Sequence, residues 1–264
     1  MKFTHKLCGA ALLAVVGVAL VVPNNTKADD GVGLEGGAEI EFTETSSTTP
    51  PTNPPGGSNS GPISGTSGTS DAGTFGISYV TGLDFGKHEN MTKTGIDTYW
   101  AKKWVATNND GKTIENAHFV NFNDSRQQKG HAYVIQAKLT KEFSSTLENG
   151  DDVKLNGVSL TYNNPSLIAN GETAESLAPT AGLKPGAVVT KDAQTIMLDN
   201  SNPADEEIGF GYFTLMFGQY ALGDADGGAG KSISLTIPKA DNRTVYNTKY
   251  QGGVTWTMSV TPQP

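Results

Sequence analysis

Val254-Thr255-Trp256-Thr257-Met258-Ser259-Val260 alternates large apolar side chains with hydroxyl-bearing ones at every step. Successive side chains of an extended backbone point to opposite faces. Val254, Trp256, Met258 and Val260 therefore share one face, and Thr255, Thr257 and Ser259 the other. A helical period of 3.6 would scatter the four apolar residues around the axis, so the segment reads as a half-buried β-strand. The same period recurs upstream. Residues 232–238 set Ile233, Leu235 and Ile237 against Ser234 and Thr236, and residues 131–139 set Tyr133, Ile135, Ala137 and Leu139 against Gln136 and Lys138. Gly211–Phe217 is a fuller apolar run, which predicts a central strand buried on both faces.

Turn signals separate these runs: Asp110-Gly111, Asn149-Gly150, Asn156-Gly157, Lys184-Pro185-Gly186 and Asp226-Gly227. No stretch shows a sustained helical period, although 172–177 has room for one helical turn. Many short strands with turn-rich joins predict an antiparallel β-sandwich with long loops over residues 75–264. These hold 19 of the 21 aromatic residues, enough for one substantial core.

The chain upstream has another character. Lys2, His5 and Lys6 precede an apolar run over 7–22, and Thr26-Lys27-Ala28 offers a cleavage site, so residues 1–28 read as an export signal. The run is short of the roughly 20 residues a bilayer span needs, which disfavours the alternative of a retained membrane anchor. Residues 29–74 read as an acidic leader and a low-complexity linker. In 45–74, 27 of 30 residues are Ser, Thr, Gly, Pro or Asn, a composition expected to stay disordered. Within the leader, residues 38–43 (AEIEFT) alternate like a short strand that adds to a sheet edge or a partner chain, or else belong to a disordered acidic segment.

Composition excludes several classes of function. With 19 Lys+Arg against 27 Asp+Glu and no basic cluster, no nucleic-acid surface is expected. Removal of residues 1–28 takes away the lone Cys8 and leaves 16 basic and 27 acidic residues, a net charge of −11. Neither a disulfide framework nor a multi-cysteine zinc site is then available. The polar end at 259–264 carries no hydrophobic tail and no Leu-Pro-any-Thr-Gly signal, so attachment through a folded domain is expected.

Apparent catalytic motifs dissolve on inspection. Gly228-Ala229-Gly230-Lys231-Ser232 has Ala225 where a phosphate loop needs Gly, and a strand follows it where that loop needs a helix. His88, His118 and His131 lack metal-ligand spacing, and the acids at Asp224/Asp226 and 205–207 lack EF-hand spacing. Neither metal, cofactor nor catalytic residue is expected, although triads assembled from distant residues are invisible to spacing.

The stretch 254–260 resembles the closing motif of WxL-domain cell-surface proteins of Gram-positive bacteria. Other pieces follow the family's order: an export signal, the acidic leader, the linker, and then Phe75-Gly76-Ile77-Ser78-Tyr79-Val80 leading into Leu83-Asp84-Phe85-Gly86. Two departures stand out. Met258 replaces the final Leu, and the family's earlier Trp-any-Leu is matched by Tyr133-Val134-Ile135. Each keeps an aromatic residue two places before an aliphatic one, a swap of similar volume. The resemblance implies a secreted, non-enzymatic protein held noncovalently at the cell wall, with peptidoglycan as ligand. It also implies companion membrane- or wall-anchored proteins and, in some members, adhesion to host components. A subunit of a surface assembly held by a partner protein is the alternative; a carbohydrate-active enzyme is a third. Trp256 and Met258, with Tyr133 and Ile135, are the motif residues. Either they pack inside the sandwich or Trp256 stacks on sugar rings.

Overall fold

The computed structural model describes residues 54–58, 72–88 and 95–260. The expected export signal, the segment 38–43 and most of the expected linker lie outside the described residues. The described residues form fourteen strands. The first seven are β1 (Phe75–Val80), β2 (Ile96–Trp100), β3 (Trp104–Thr107), β4 (Thr113–Asn116), β5 (His118–Asp124), β6 (Tyr133–Thr146) and β7 (Asp152–Lys154). Then come β8 (Ser159–Tyr162), β9 (Pro165–Ala169), β10 (Ala187–Val189), β11 (Thr195–Asn200), β12 (Gly211–Phe217), β13 (Ile233–Pro238) and β14 (Gln251–Ser259). The only helical pieces among the described residues are short 3-10 turns, one of them Glu175–Leu177 inside the stretch with room for a helical turn. The five glycines of the turn signals all have φ between +65° and +89°, the left-handed region those turns require.

The strands pair antiparallel in a first sheet β1-β5-β12-β9, a second β10-β8-β13-β2, and a third β11-β6-β14 with β7 added to β6. Strands β3 and β4 form a separate hairpin. The mainly β, antiparallel class agrees with the alternation read from the sequence. One core joins the three sheets: Phe122, Phe213 and Leu215 from the first, Leu160 and Leu235 from the second, Ile135 and Leu198 from the third. Each such side chain removed from water contributes roughly 1.5–3 kcal/mol. The first sheet is apolar on its other face as well. There Phe119, Met216 and Tyr79 pack under Trp104 and Ile114 of the β3–β4 hairpin. Because the hairpin covers that face, all seven residues of β5 are buried, and β12 occupies the interior position expected of it.

One expectation needs correcting. Val260 does not join the core stripe; β14 runs out of partner at the pair Ser259–Val134, and Val260 beyond it is 54% exposed. Gln136, on the opposite face of β6 as expected, is also buried, because β6 is the central strand of its sheet, flanked by β11 and β14. Residues 54–58, inside the expected linker, are among those described. The Ser58 N–H donates to the Glu115 carbonyl at 2.9 Å, and Asn116 Nδ2 donates to the Pro54 carbonyl at 2.9 Å, so 54–58 lies along β4.

Candidate functional site

The two aromatic–aliphatic pairs, remote in sequence, occupy neighbouring strands. In the β6–β14 ladder Met258 stands opposite Ile135, Trp256 opposite Ala137 and Val254 opposite Leu139. Directly opposed residues share a face, so this register turns both pairs toward the core. The small Ala137 leaves room for the indole. Trp256 meets Tyr162 edge-on at 5.5 Å between ring centroids and Phe217 at 6.0 Å. Trp256 and Met258 are partly buried against the core, whereas Tyr133 and Ile135 have no exposed surface. Tyr133 sits between Phe75 and Phe122, and its hydroxyl donates to the Gly209 carbonyl at 3.3 Å. Burial holds that phenol far above its ordinary pKa.

The Leu83-Asp84-Phe85-Gly86 segment reaches the same region. Leu83 and Phe85 pack on the core, Phe85 edge-on to Phe143 at 6.4 Å. The Asp84 carboxylate accepts from the Gly86 N–H at 2.8 Å and from Lys102 Nζ at 3.0 Å. These bonds, the backbone one first, hold its carboxyl below the usual carboxylate range. Gly86 has φ +83°, and a Cβ there would come within 3.1 Å of the Lys102 side chain, which explains the glycine. The Asp84–Lys102 pair is well exposed and contributes at most about 1 kcal/mol.

Lys102 links this motif to His118. Its carbonyl accepts from His118 Nε2 at 2.7 Å, while His118 Nδ1 lies 3.3 Å from Thr81 Oγ1. Burial pushes the imidazole down to about 4, against the opposing pull of the Lys102 carbonyl. His118, Leu83, Tyr162, Phe217 and Trp256 line one cleft of about 10 Å³. That is room for about one water, so the cleft cannot enclose a sugar ring. A second cleft, by Leu139 and Leu155, measures about 70 Å³, well below the roughly 300 Å³ of a small-molecule pocket.

One polar cluster had no signal in the spacing of its residues. Asp124, fully buried, accepts from Arg126 Nε at 2.8 Å and Arg126 Nη2 at 2.7 Å, and lies 3.0 Å from His131 Nδ1. The Arg126 guanidinium lies 4.0 Å from the centroid of the Phe75 ring. The cluster ties the loop after β5 to the start of β1. The remaining acids serve loops: Asp205 accepts from the Glu207 N–H at 2.9 Å, and Asp226 lies 3.8 Å from Lys231. The glycine-rich segment at 228–232 forms a 3-10 turn, Ala229–Lys231, that runs into strand β13 and so lacks the helix N-terminus a phosphate site uses. Among the described residues no three His, Cys, Asp or Glu converge as a metal site, and no helix is long and apolar enough to cross a membrane.

A family model described as WxL domain surface cell wall-binding matches residues 32–262. No curated protein and no solved structure matches the chain.

Proposed function

The chain belongs to the WxL family of cell-wall-binding surface domains, and from that premise we propose that it is a non-enzymatic protein held noncovalently on peptidoglycan through residues 75–264. The carrying observation is the register of β6 against β14, which turns both aromatic–aliphatic pairs inward onto the shared core. On this reading the motif is a staple. Tyr133 and Ile135 fill the interior, Trp256 and Met258 close the last strand over it, and Leu83-Asp84-Phe85-Gly86 fixes the adjoining loop. The ligand is then taken on an open surface, a reading supported by the small volume beside Trp256. A non-catalytic role is supported by the engagement of His118 and Asp124 in structural bonds. Such an attachment places the preceding low-complexity segment between wall and exterior as a spacer, after removal of residues 1–28 on export.

The test is co-sedimentation of the purified protein with sacculi before and after exhaustive protease treatment of the sacculi. Retention on treated sacculi is expected. Loss of retention on protease treatment refutes the glycan reading and assigns attachment to a companion wall- or membrane-anchored protein.

A further inference from the structure

We propose that the outward face of the second sheet is the platform on which a neutral glycan strand lies; the proposal rests on the wall-attachment reading above and names its surface. The ladders β2–β13–β8–β10 place Trp100, Ser234, Thr161 and Val188 in one row across four strands. The next row is Thr98, Thr236 and Ser159, and the third pairs Ile96 with Pro238. The residues between them, such as Tyr99, Leu235, Leu160 and Val189, face the core, so alternation turns these rows outward. Ile96 is 66%, Trp100 40% and Val188 48% exposed, and none of the three belongs to either apolar cluster.

The chemistry of this face is specific. No outward position on the four strands is charged, although the chain carries 46 charged residues and a net charge of −8. An anionic polymer needs Lys or Arg to meet it, and this face has neither. A protein partner is met by an apolar centre inside a polar rim. Here the order is reversed: the hydroxyls of Thr98, Thr236, Ser159 and Thr161 form the floor, Ser234 in the same row being covered at 5% exposure, and Trp100, Ile96 and Val188 stand on the two edge strands. A sugar ring offers an apolar C–H face and a periphery of hydroxyl and amide groups. Trp100 suits the first, and Ser and Thr hydroxyls, each both donor and acceptor, suit the second. The platform is about 14 Å wide from the spacing of four strands, so it runs under an extended chain and not a single ring.

The experiment uses the full chain and soluble, uncharged strands of β-1,4-linked N-acetylglucosamine, free of peptide and protein. Wild type is expected to bind, Trp100→Tyr to bind comparably, and Trp100→Ala to bind about tenfold more weakly with an unchanged melting temperature. Thr161→Glu, which sets a carboxylate in the floor, is expected to abolish binding. The strands should also shield wild type from acrylamide quenching, since Trp100 is the most exposed of the three tryptophans while Trp104 is buried and Trp256 partly so. If wild type binds and both Trp100→Ala and Thr161→Glu bind equally well, this face is refuted while wall attachment stands. If wild type fails on protease-treated sacculi and on the strands alike, both readings fall.

Discussion

Acidification below pH 6.5 removes stability that the buried His118 supplies, and the amount can be worked from its surroundings. The folded imidazole has its pKa lowered from 6.5 to about 4 by burial beside Trp256. In the unfolded chain it titrates near its ordinary value. Between those limits the unfolded state binds the extra proton, so stability rises with pH. The contribution is fully present above pH 6.5 and is lost progressively as pH falls toward 4. A separation of about 2.5 pKa units corresponds to roughly 3 kcal/mol in total, of which about 2 kcal/mol is gone at pH 5. Urea unfolding at neutral pH and at about pH 5 measures the loss. Carboxylates contribute too, so the relevant quantity is the difference from His118→Gln, which keeps an N–H for the Lys102 carbonyl but does not titrate. The variant is expected to lose about 2 kcal/mol less than wild type over this interval. Equal losses in the two proteins, or an imidazole that titrates near 6.5 by NMR in the folded state, would refute the assignment.

Other perturbations address the rest of the architecture. Trp256→Ala should cost about 3 kcal/mol by urea unfolding, through the packing lost against Tyr162 and Phe217; wall binding lost at constant stability would instead make the indole a ligand contact. Arg126→Ala leaves the buried Asp124 carboxylate without its bidentate partner and should cost about 3–5 kcal/mol; a variant that melts like wild type contradicts the lock assigned to this cluster. Raising salt from about 0.05 to 0.5 M should leave sacculus binding nearly unchanged, because the chain is acidic and charge attraction to anionic wall polymers is not its basis. A steep decline would point to a local basic patch such as Lys102-Lys103.

The legible part of the fold was the part written in alternation. Strands β12, β13 and β14 follow the runs that predicted them, because each buries one face or both in the common core. Strand β6 was half legible. Tyr133, Ile135, Ala137 and Leu139 face inward as expected, but burial of Gln136 depends on the flanking strands, which no local period encodes. The cover over the first sheet was equally silent, since Trp104 and Ile114 sit in strands of four residues, too short to show a period. For the candidate site, the motif residues were legible as types and their order carried the family. Their register was not, because the pairing of Trp256 with Ala137 is long-range. Trp100 went unremarked for a related reason: in Ile96-Asp97-Thr98-Tyr99-Trp100 both alternating sets contain an aromatic residue, so sequence alone gives no inward face. Pairing with β13 decides it, placing Tyr99 opposite the buried Leu235 and Trp100 opposite Ser234.

The strand bearing Trp256 is the last of the fourteen, and the lane beside β6 stays vacant until it arrives. Until β14 is in place the polypeptide cannot complete its third sheet, however much of the rest has paired. Non-local pairings of this kind also form slowly. Strand β6 thus keeps one edge open until β14 docks, and the step that finishes the third sheet is also the one that seats Trp256 on the core.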